Sequence, residues 1–502
     1  MVIGNSRSMH PSVSHIHSDI ICALATAQGG ALGLIRVSGA GCMDVVDSLF
    51  TPAGNGRPLT GRRGFTVAYG TLHDADGEVV DDVLVSVFRQ PRSYTGEDSV
   101  EISCHASPYI LQTVLRLLCD NGCRMAGPGE YTRRAFMNGR MDLSQAEAVA
   151  DLIASVSAAS HRLAMNQMRG GFSRKLSALR DRLLHLTSLM ELELDFSDHE
   201  ELEFADRTEL VRLAEEVETN VSGLTDSFRL GNALKNGIPV AIIGETNTGK
   251  STLLNALVGD DKAIVSDIHG TTRDIIEDTV NIGGVTFRFI DTAGIRQTAD
   301  TIETIGIERS FRAMDKAQIV ILLCDMTAPA ARFQSFFDKV RPHLEGKQVI
   351  IALNKCDAAT EGVKRKESSS TASASVSPKS KDKQDSLPTS NFQLSTFNCK
   401  QLPISAKYGT NLEVLRQALT DLASVPEITS SDVIVTNLRH YEALSQALQS
   451  IRRVREGLSS ALPTDLVSQD LRECIYHLGS IVGEVTTDEI LGNIFSHFCI
   501  GK

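Results

Sequence analysis

Short apolar runs separated by Gly, Pro, Asp and Asn fill the first hundred ordered-looking residues: Ile20–Ala25, Ala31–Val37, Phe65–Gly70, Val83–Phe88 and Val100–Cys104. Runs of that length between turn residues predict strands, and Tyr109–Asp120 carries a helical period, so an α+β domain is expected. From Leu143 the pattern changes to a helical period, with Ala146, Val149, Ala150 and Ile153, then Leu176, Leu179, Leu183, Leu186 and Leu189. The same texture returns from Asn437 through Leu444, Leu448, Ile451, Leu471, Ile475 and Leu478. Between the two helical stretches lie the apolar runs Ile238–Ile243, Val285–Ile290 and Gln348–Leu353, short enough for buried strands. Thr279–Ile282 and Val285–Phe289 flank Gly283-Gly284, a hairpin signal. Residues 361–391 turn to Ser, Lys, Thr and Asp with no apolar period, a composition that cannot bury enough surface to offset its ordering entropy. The pattern therefore predicts a leader over 1–18, an α+β domain over 19–141, a helical domain in two parts (142–236 and 430–502), and an α/β domain inserted between them over 237–429 that itself carries the disordered segment 361–391.

Composition narrows the classes. At 502 residues with 42% hydrophobic content the chain has room for roughly three packed domains. No run approaches the ~20 apolar residues of a membrane span, and the leader lacks an apolar signal core, so a cytoplasmic protein is expected. Ten cysteines follow no framework, as suits reduced thiols. Cys119 and Cys123 read as one helical turn apart at the end of the Tyr109–Asp120 helix, packed rather than metal-bound. A net charge of −12 argues against a broad phosphate-neutralising surface, so any nucleic acid is held locally or through a partner.

Five motifs in order carry the chemistry: Gly244-Glu-Thr-Asn-Thr-Gly-Lys-Ser251, Gly270-Thr-Thr-Arg-Asp274, Asp291-Thr-Ala-Gly294, Asn354-Lys-Cys-Asp357 and Ser405-Ala-Lys407. The first is a phosphate loop between a strand and a helix start, so backbone N–H groups of Asn247, Thr248, Gly249, Lys250, Ser251 and Thr252 face an anion at a helix N-terminus. Lys250 is placed to reach the β- and γ-phosphates, and the Ser251 hydroxyl suits magnesium, with Thr272 as the second hydroxyl on that metal. Asp291 would hold the metal through water, and the Gly294 amide meets the γ-phosphate, with Thr292 and Ala293 between them. Asp357 accepts from the ring N–H and exocyclic amine of guanine, a donor pair adenine lacks, and Asn354 and Lys355 complete that loop. Ser405, Ala406 and Lys407 offer an amide to the guanine oxygen and a stem to the ring face. These residues point to a Ras-like GTP hydrolase.

One position departs from the Ras-like pattern. The glutamine that orients water directly after Asp-Thr-Ala-Gly is replaced by Ile295, so hydrolysis needs another polar group. Asn247 and Glu303 are candidates, although spacing alone favours an ordinary loop residue for Asn247 and a solvated helix-face carboxylate for Glu303.

Several segments resemble the MnmE (TrmE) family of tRNA-modifying GTPases. They are Gly33-Leu-Ile-Arg-Val-Ser-Gly39, Ser93-Tyr-Thr-Gly-Glu-Asp98, Pro128-Gly-Glu-Tyr-Thr-Arg-Arg-Ala-Phe136, Met141-Asp-Leu-Ser-Gln-Ala-Glu147, Asp291-Thr-Ala-Gly-Ile-Arg296 and the terminal Cys499-Ile-Gly-Lys502. The resemblance covers nearly the whole chain except the leader and the Ser-rich segment. It implies a homodimer formed through an N-terminal folate-binding domain, with a potassium-dependent GTPase inserted in a helical domain. It also implies a heterotetramer with the flavoprotein MnmG, which carries the FAD, acting on carbon 5 of the wobble uridine of certain tRNAs. A tetrahydrofolate derivative would supply the methylene, and ammonia or glycine the amine. By position, Asn247 matches the potassium ligand, joined by Ser266, Ile268 and Thr271 in a loop that also contains Asp267, His269, Gly270 and Thr272. Backbone carbonyls commonly replace a potassium hydration shell. Glu303 matches the catalytic acid, Arg36, Glu97, Arg140 and Lys502 the folate contacts, and Cys499 a residue needed for modification.

The chain departs from its relatives at Glu245, Thr246 and Thr248 in the phosphate loop, at His269 and at Arg140. Two other classes share the nucleotide motifs. A ribosome-assembly GTPase of the Era type should carry an RNA-binding appendage, which the sequence after residue 430 does not suggest. A nucleotide-switch binding module would need neither the folate residues nor the terminal cysteine.

Overall fold

The computed structural model describes residues 19–27, 29–54, 56–195, 207–259, 278–290, 311–358, 399–423, 432–460, 462–496 and 498–501. The leader, the Ser-rich segment, residues 266–272 and 291–294, Glu303 and Lys502 lie outside them. The chain divides into two compact units, one from residues 1–150, 167–210 and 456–502, the other from 151–166 and 211–455.

The first unit is built on strands β1 (Ile20–Leu24), β2 (Leu32–Ser38), β3 (Phe50–Pro52), β4 (Thr66–His73), β5 (Val79–Phe88), β6 (Ser99–His105) and β7 (Cys123–Met125), in the order β3-β4-β5-β6-β2-β1-β7. Neighbours are antiparallel except β1 and β7, which run parallel. Alternation along β2, β5 and β6 sends Ile35, Val37, Val83, Val85, Val87, Val100 and Ile102 to one core. There they meet the helix Pro108–Asp120 through Leu111, Val114, Leu117 and Leu118, and the helix Cys42–Leu49 through Met43 and Val46. Against the other face of β1, Tyr131 packs on Ile21 and Ala23. Helical segments of the same unit follow: Leu143 and Ala146 bury against Leu491 and Phe495, and the Arg180–Glu484 ion pair (3.1 Å) ties the helix Gly171–Asp195 to the end of Thr464–Val482.

The expected helical spacing of Cys119 and Cys123 is wrong. The helix stops at Asp120 because Asn121-Gly122 follows, with Gly122 in the left-handed region at φ 100°, and Cys123 opens β7. Packing does bring both thiols to a common neighbour on β1, since Cys22 Sγ lies 3.9 Å from Cys119 Sγ and the Cys22 thiol also interacts with that of Cys123.

In the second unit, β8 (Ile238–Gly244), β9 (Asp278–Ile282), β10 (Val285–Phe289), β11 (Ile319–Asp325), β12 (Gln348–Asn354) and β13 (Lys400–Pro403) form a sheet ordered β13-β12-β11-β8-β10-β9. All pairs are parallel except the β9–β10 hairpin, where Gly283 (φ 59°) and Gly284 (φ 80°) supply the two positive φ angles of a two-residue turn. Both faces are covered, which is why β8, β11 and β12 read as unbroken apolar runs. Along β8, Val240 and Ile242 face the helices Lys250–Val258 and Leu412–Ala423, while Ala241 and Ile243 face the helix Ala330–Val340. This three-layer parallel arrangement is the Ras-like fold expected for the inserted domain. Together with the α+β and helical parts, the fold class is as the sequence indicated.

Candidate active site

The phosphate loop occupies the carboxyl end of β8, where a doubly covered parallel sheet places its ligands. The turn from strand to helix needs two glycines for steric reasons. A Cβ on Gly244 would sit 2.6 Å from the carbonyl oxygen of Leu323 on β11, and one on Gly249 (φ 96°) would sit 2.4 Å from Nδ2 of Asn354. Asn247 also takes a left-handed conformation (φ 63°) and is exposed, while Thr248 is buried and its hydroxyl donates to the Glu245 carbonyl at 2.8 Å. Gly249 caps the helix that starts at Lys250, so Lys250, Ser251 and Thr252 form its first turn, the end whose free N–H groups favour an anion. The Lys250 amine donates to the carbonyls of Gly244 and Glu245, both at 2.7 Å. Burial lowers the pKa of that amine, and the nearby Glu245 carboxylate works in the opposite direction.

Two further loops converge on this one. Asn354, at the end of β12 and buried, donates through Nδ2 to the Thr248 carbonyl (2.8 Å) and accepts at Oδ1 from the Ala406 N–H (2.9 Å). The Ala406 amide, assigned from the sequence to the guanine oxygen, donates to Asn354 in this geometry. Lys355, also left-handed (φ 64°), donates to the Asn247 carbonyl at 2.9 Å and pairs with Asp325 at the end of β11. Burial raises the Asp325 carboxyl, but the Lys355 amine and the Thr327 hydroxyl and amide outweigh that and hold it below its ordinary value. Asp357 stands half-buried after Lys355, and Ser405 is buried, its N–H donating to the Thr410 carbonyl at 3.1 Å. Lys407 is exposed, with its amine 5.1 Å from the centroid of Tyr408. Asp325 and Arg332, which pairs with Glu245 at 2.9 Å, were not singled out in the sequence. A carboxylate closing the apolar run Ile319–Cys324 was the one available signal for Asp325.

A second polar centre lies in the first unit. Arg36 on β2 donates to Glu101 Oε1 through Nε (2.9 Å) and a terminal nitrogen (2.8 Å), and its other terminal nitrogen donates to the Gly501 carbonyl (3.3 Å). The rings of Tyr94 and Tyr131 lie 5.3 and 5.5 Å from its guanidinium carbon. Two residues on, and so on the same face of the strand, the Ser38 hydroxyl donates to Glu97 at 2.9 Å. Glu97 also pairs with the buried Arg134 (3.2 Å), and Arg140 runs beside Gly96, whose added Cβ would lie 3.1 Å from its Cγ. Glu97 and Arg134 border a cavity of about 350 Å³ shared with Arg124, Arg133, Phe495 and Ser496. Cys499, exposed, is held at this centre through backbone: its carbonyl accepts from the Gly129 N–H (3.3 Å), and Ile500 bridges Pro128.

Comparison with known proteins fits both centres into one lineage. Residues 20–140 match the family described as GTP-binding protein TrmE N-terminus, and 143–499 match the MnmE helical domain. The chain belongs to the MnmE (TrmE) family. A tRNA modification GTPase MnmE of Parabacteroides distasonis is 58% identical over 483 residues, covering 96% of this chain and 99% of the relative. The MnmE of Bacteroides fragilis is 55% identical over 97% of this chain and 100% of its own, and that of Flavobacterium johnsoniae 47% identical over the same shares. The G domain of the T. maritima FeoB iron transporter aligns with 37% of this chain and 99% of its own at 22% identity, with a TM-score of 0.24. As an MnmE-family protein with this phosphate loop, the chain is a GTP-hydrolysing enzyme.

Proposed function

We propose that this protein is a tRNA modification GTPase which, activated by potassium and working with an MnmG flavoprotein, adds an aminomethyl-type group to carbon 5 of the wobble uridine. The observation that carries the reading is Asn354, whose one amide ties the phosphate loop to the Ser405–Lys407 loop, the two loops that would cradle the nucleotide. Lys250 and the first-turn amides would hold phosphates there, and Ser251, with Thr272, would hold the magnesium that offsets phosphate charge. Asp357 would select guanine. The exposed, left-handed Asn247 leaves its side chain available at the loop's outer edge, which suits a potassium ligand alongside Ser266, Ile268 and Thr271.

The folate reading rests on Arg36, Glu97 and Arg140 around β2 and on the chain end seated beside Arg36. The guanidinium groups suit folate's carboxylates, Glu97 suits the amino-pterin edge, and Lys502 would add a cation next to Gly501. Cys499 would then lie near the one-carbon unit. Homodimerisation through 19–141 and tRNA delivery by the partner complete the proposal, with a GTPase domain over 237–429 set into the helical domain.

The activation by potassium is tested by GTP turnover in matched salts. Exchanging potassium for sodium should lower the rate at least tenfold with Asn247 intact and change little in Asn247→Ala. Equal rates for the parent protein in the two salts would remove the potassium site.

A further inference from the structure

Glu245 is an unfavourable residue for a phosphate loop, because it sets a carboxylate where polyanion charge gathers. Its own carbonyl lies 2.7 Å from the Lys250 amine, and its charge is felt at that amine. The side chain does not stand alone: Arg332, in the first turn of the helix Ala330–Val340, places Nε 2.9 Å from Glu245 Oε2. The helix is anchored by Phe333 and Phe337 in the core beneath β8 and β11, so the guanidinium is presented from a fixed element of the same unit. Arg332 is exposed and Glu245 half-buried, which gives the pair little value for folding but, at this short range, leaves its field acting on the adjacent loop.

We infer that Arg332 is an affinity-determining residue of the nucleotide site, acting indirectly by neutralising Glu245 beside the phosphates. This rests on the phosphate-loop reading above. Without the guanidinium, the carboxylate repels the β-phosphate and competes for the Lys250 amine. With it, the loop presents the net positive field that a phosphate needs. Arg332 does not touch the nucleotide in this account and is a positioning and charge-compensating residue only.

The test is a double-mutant cycle on the full-length protein, with GDP–magnesium affinity measured by calorimetry at low and high salt. Arg332→Ala should weaken GDP about three- to fivefold in low salt, the scale of an exposed charge pair, and less at high salt. Glu245→Gln alone should bind GDP as tightly as the parent or more tightly. In the Glu245→Gln background, Arg332→Ala should have no effect. An equal loss in both backgrounds would overturn the proposal, because Arg332 would then act independently of Glu245. Unchanged affinity in Arg332→Ala would overturn it too. Failure of the parent itself to bind GDP would instead defeat the nucleotide reading on which the proposal stands. Thermal melting of each variant separates a lost fold from a lost charge, and Arg332→Lys should restore part of the affinity without restoring the fork geometry.

Discussion

Asn354 illustrates how one side chain decides the shape of a site. Its amide is buried, and both of its polar atoms serve backbone groups of different loops. Asn354→Ala leaves the Thr248 carbonyl and the Ala406 N–H without partners, at about 1–3 kcal/mol for each group stranded. A lower melting temperature together with loss of GTP affinity is expected, and unaltered binding would show that the loops hold position without it. Asp357, by contrast, has a recognition task. Asp357→Asn keeps an oxygen for the ring N–H but turns the other acceptor into a donor, which meets the exocyclic oxygen of xanthine and opposes the exocyclic amine of guanine, so xanthine nucleotide should compete better and guanine preference should relax. Competition binding with GTP and XTP measures this, and unchanged selectivity would displace Asp357 from the base. Motif residues such as these were legible because their chemistry is local. Asp325 and Arg332 were not, since each acquires meaning only by meeting a residue distant in sequence, Lys355 and Glu245 respectively.

Elements were legible where periodicity ran long enough. Strands β1, β2, β4, β5, β6, β8, β9, β10 and β12 and the Gly283-Gly284 hairpin followed from apolar runs and turn residues; β11 and β13 were not among them, and the two-turn helices Cys42–Leu49 and Glu130–Met137 and the three-residue β3 and β7 were too short to carry a period. The Cys119–Cys123 error has the same origin: spacing alone does not register a helix stop at Asn121-Gly122. The chain end is a different case, because a four-residue polar segment gives no packing signal, yet it makes a β-bridge at Pro128 and a hydrogen bond to Arg36. Its seat depends on Gly501, which is left-handed at φ 94°, with an added Cβ 2.4 Å from the Leu24 carbonyl. Gly501→Ala should dislodge the terminus, since the conformation alone costs about 1–2 kcal/mol for a residue with a Cβ. Folate binding should weaken while GTP hydrolysis persists. Full folate affinity in that variant, or in a chain lacking residues 499–502, would separate the terminus from the folate site.

At the scale of the whole molecule, composition had less to say. The helical periods marked two blocks of sequence, but which helices pack on which sheet is a tertiary matter. In the second unit Gly231 of the helix Arg207–Asn236 meets the Val435 backbone so closely that an added Cβ would lie 2.0 Å from its carbonyl oxygen. No spacing rule reveals such a contact. The net charge of −12 remains informative, because a chain this acidic that acts on tRNA offers no broad phosphate-neutralising surface and must hold the RNA through a local patch or through a partner. Binding of tRNA by this chain alone should be weak and strongly salt-dependent, and should tighten when the proposed flavoprotein partner is added. Equal affinity with and without the partner, followed by fluorescence anisotropy, would place the RNA surface on this chain.

The central claim, a GTPase whose turnover serves tRNA modification, is tested most directly by mass analysis of wobble nucleosides. The tRNA would come from cells lacking this protein and complemented with the parent chain, with Lys250→Ala, or with Cys499→Ser. The account predicts a carbon-5 aminomethyl-type uridine with the parent chain and its loss with both variants, although Cys499→Ser still hydrolyses GTP. Identical wobble uridines in deleted and complemented cells would contradict it.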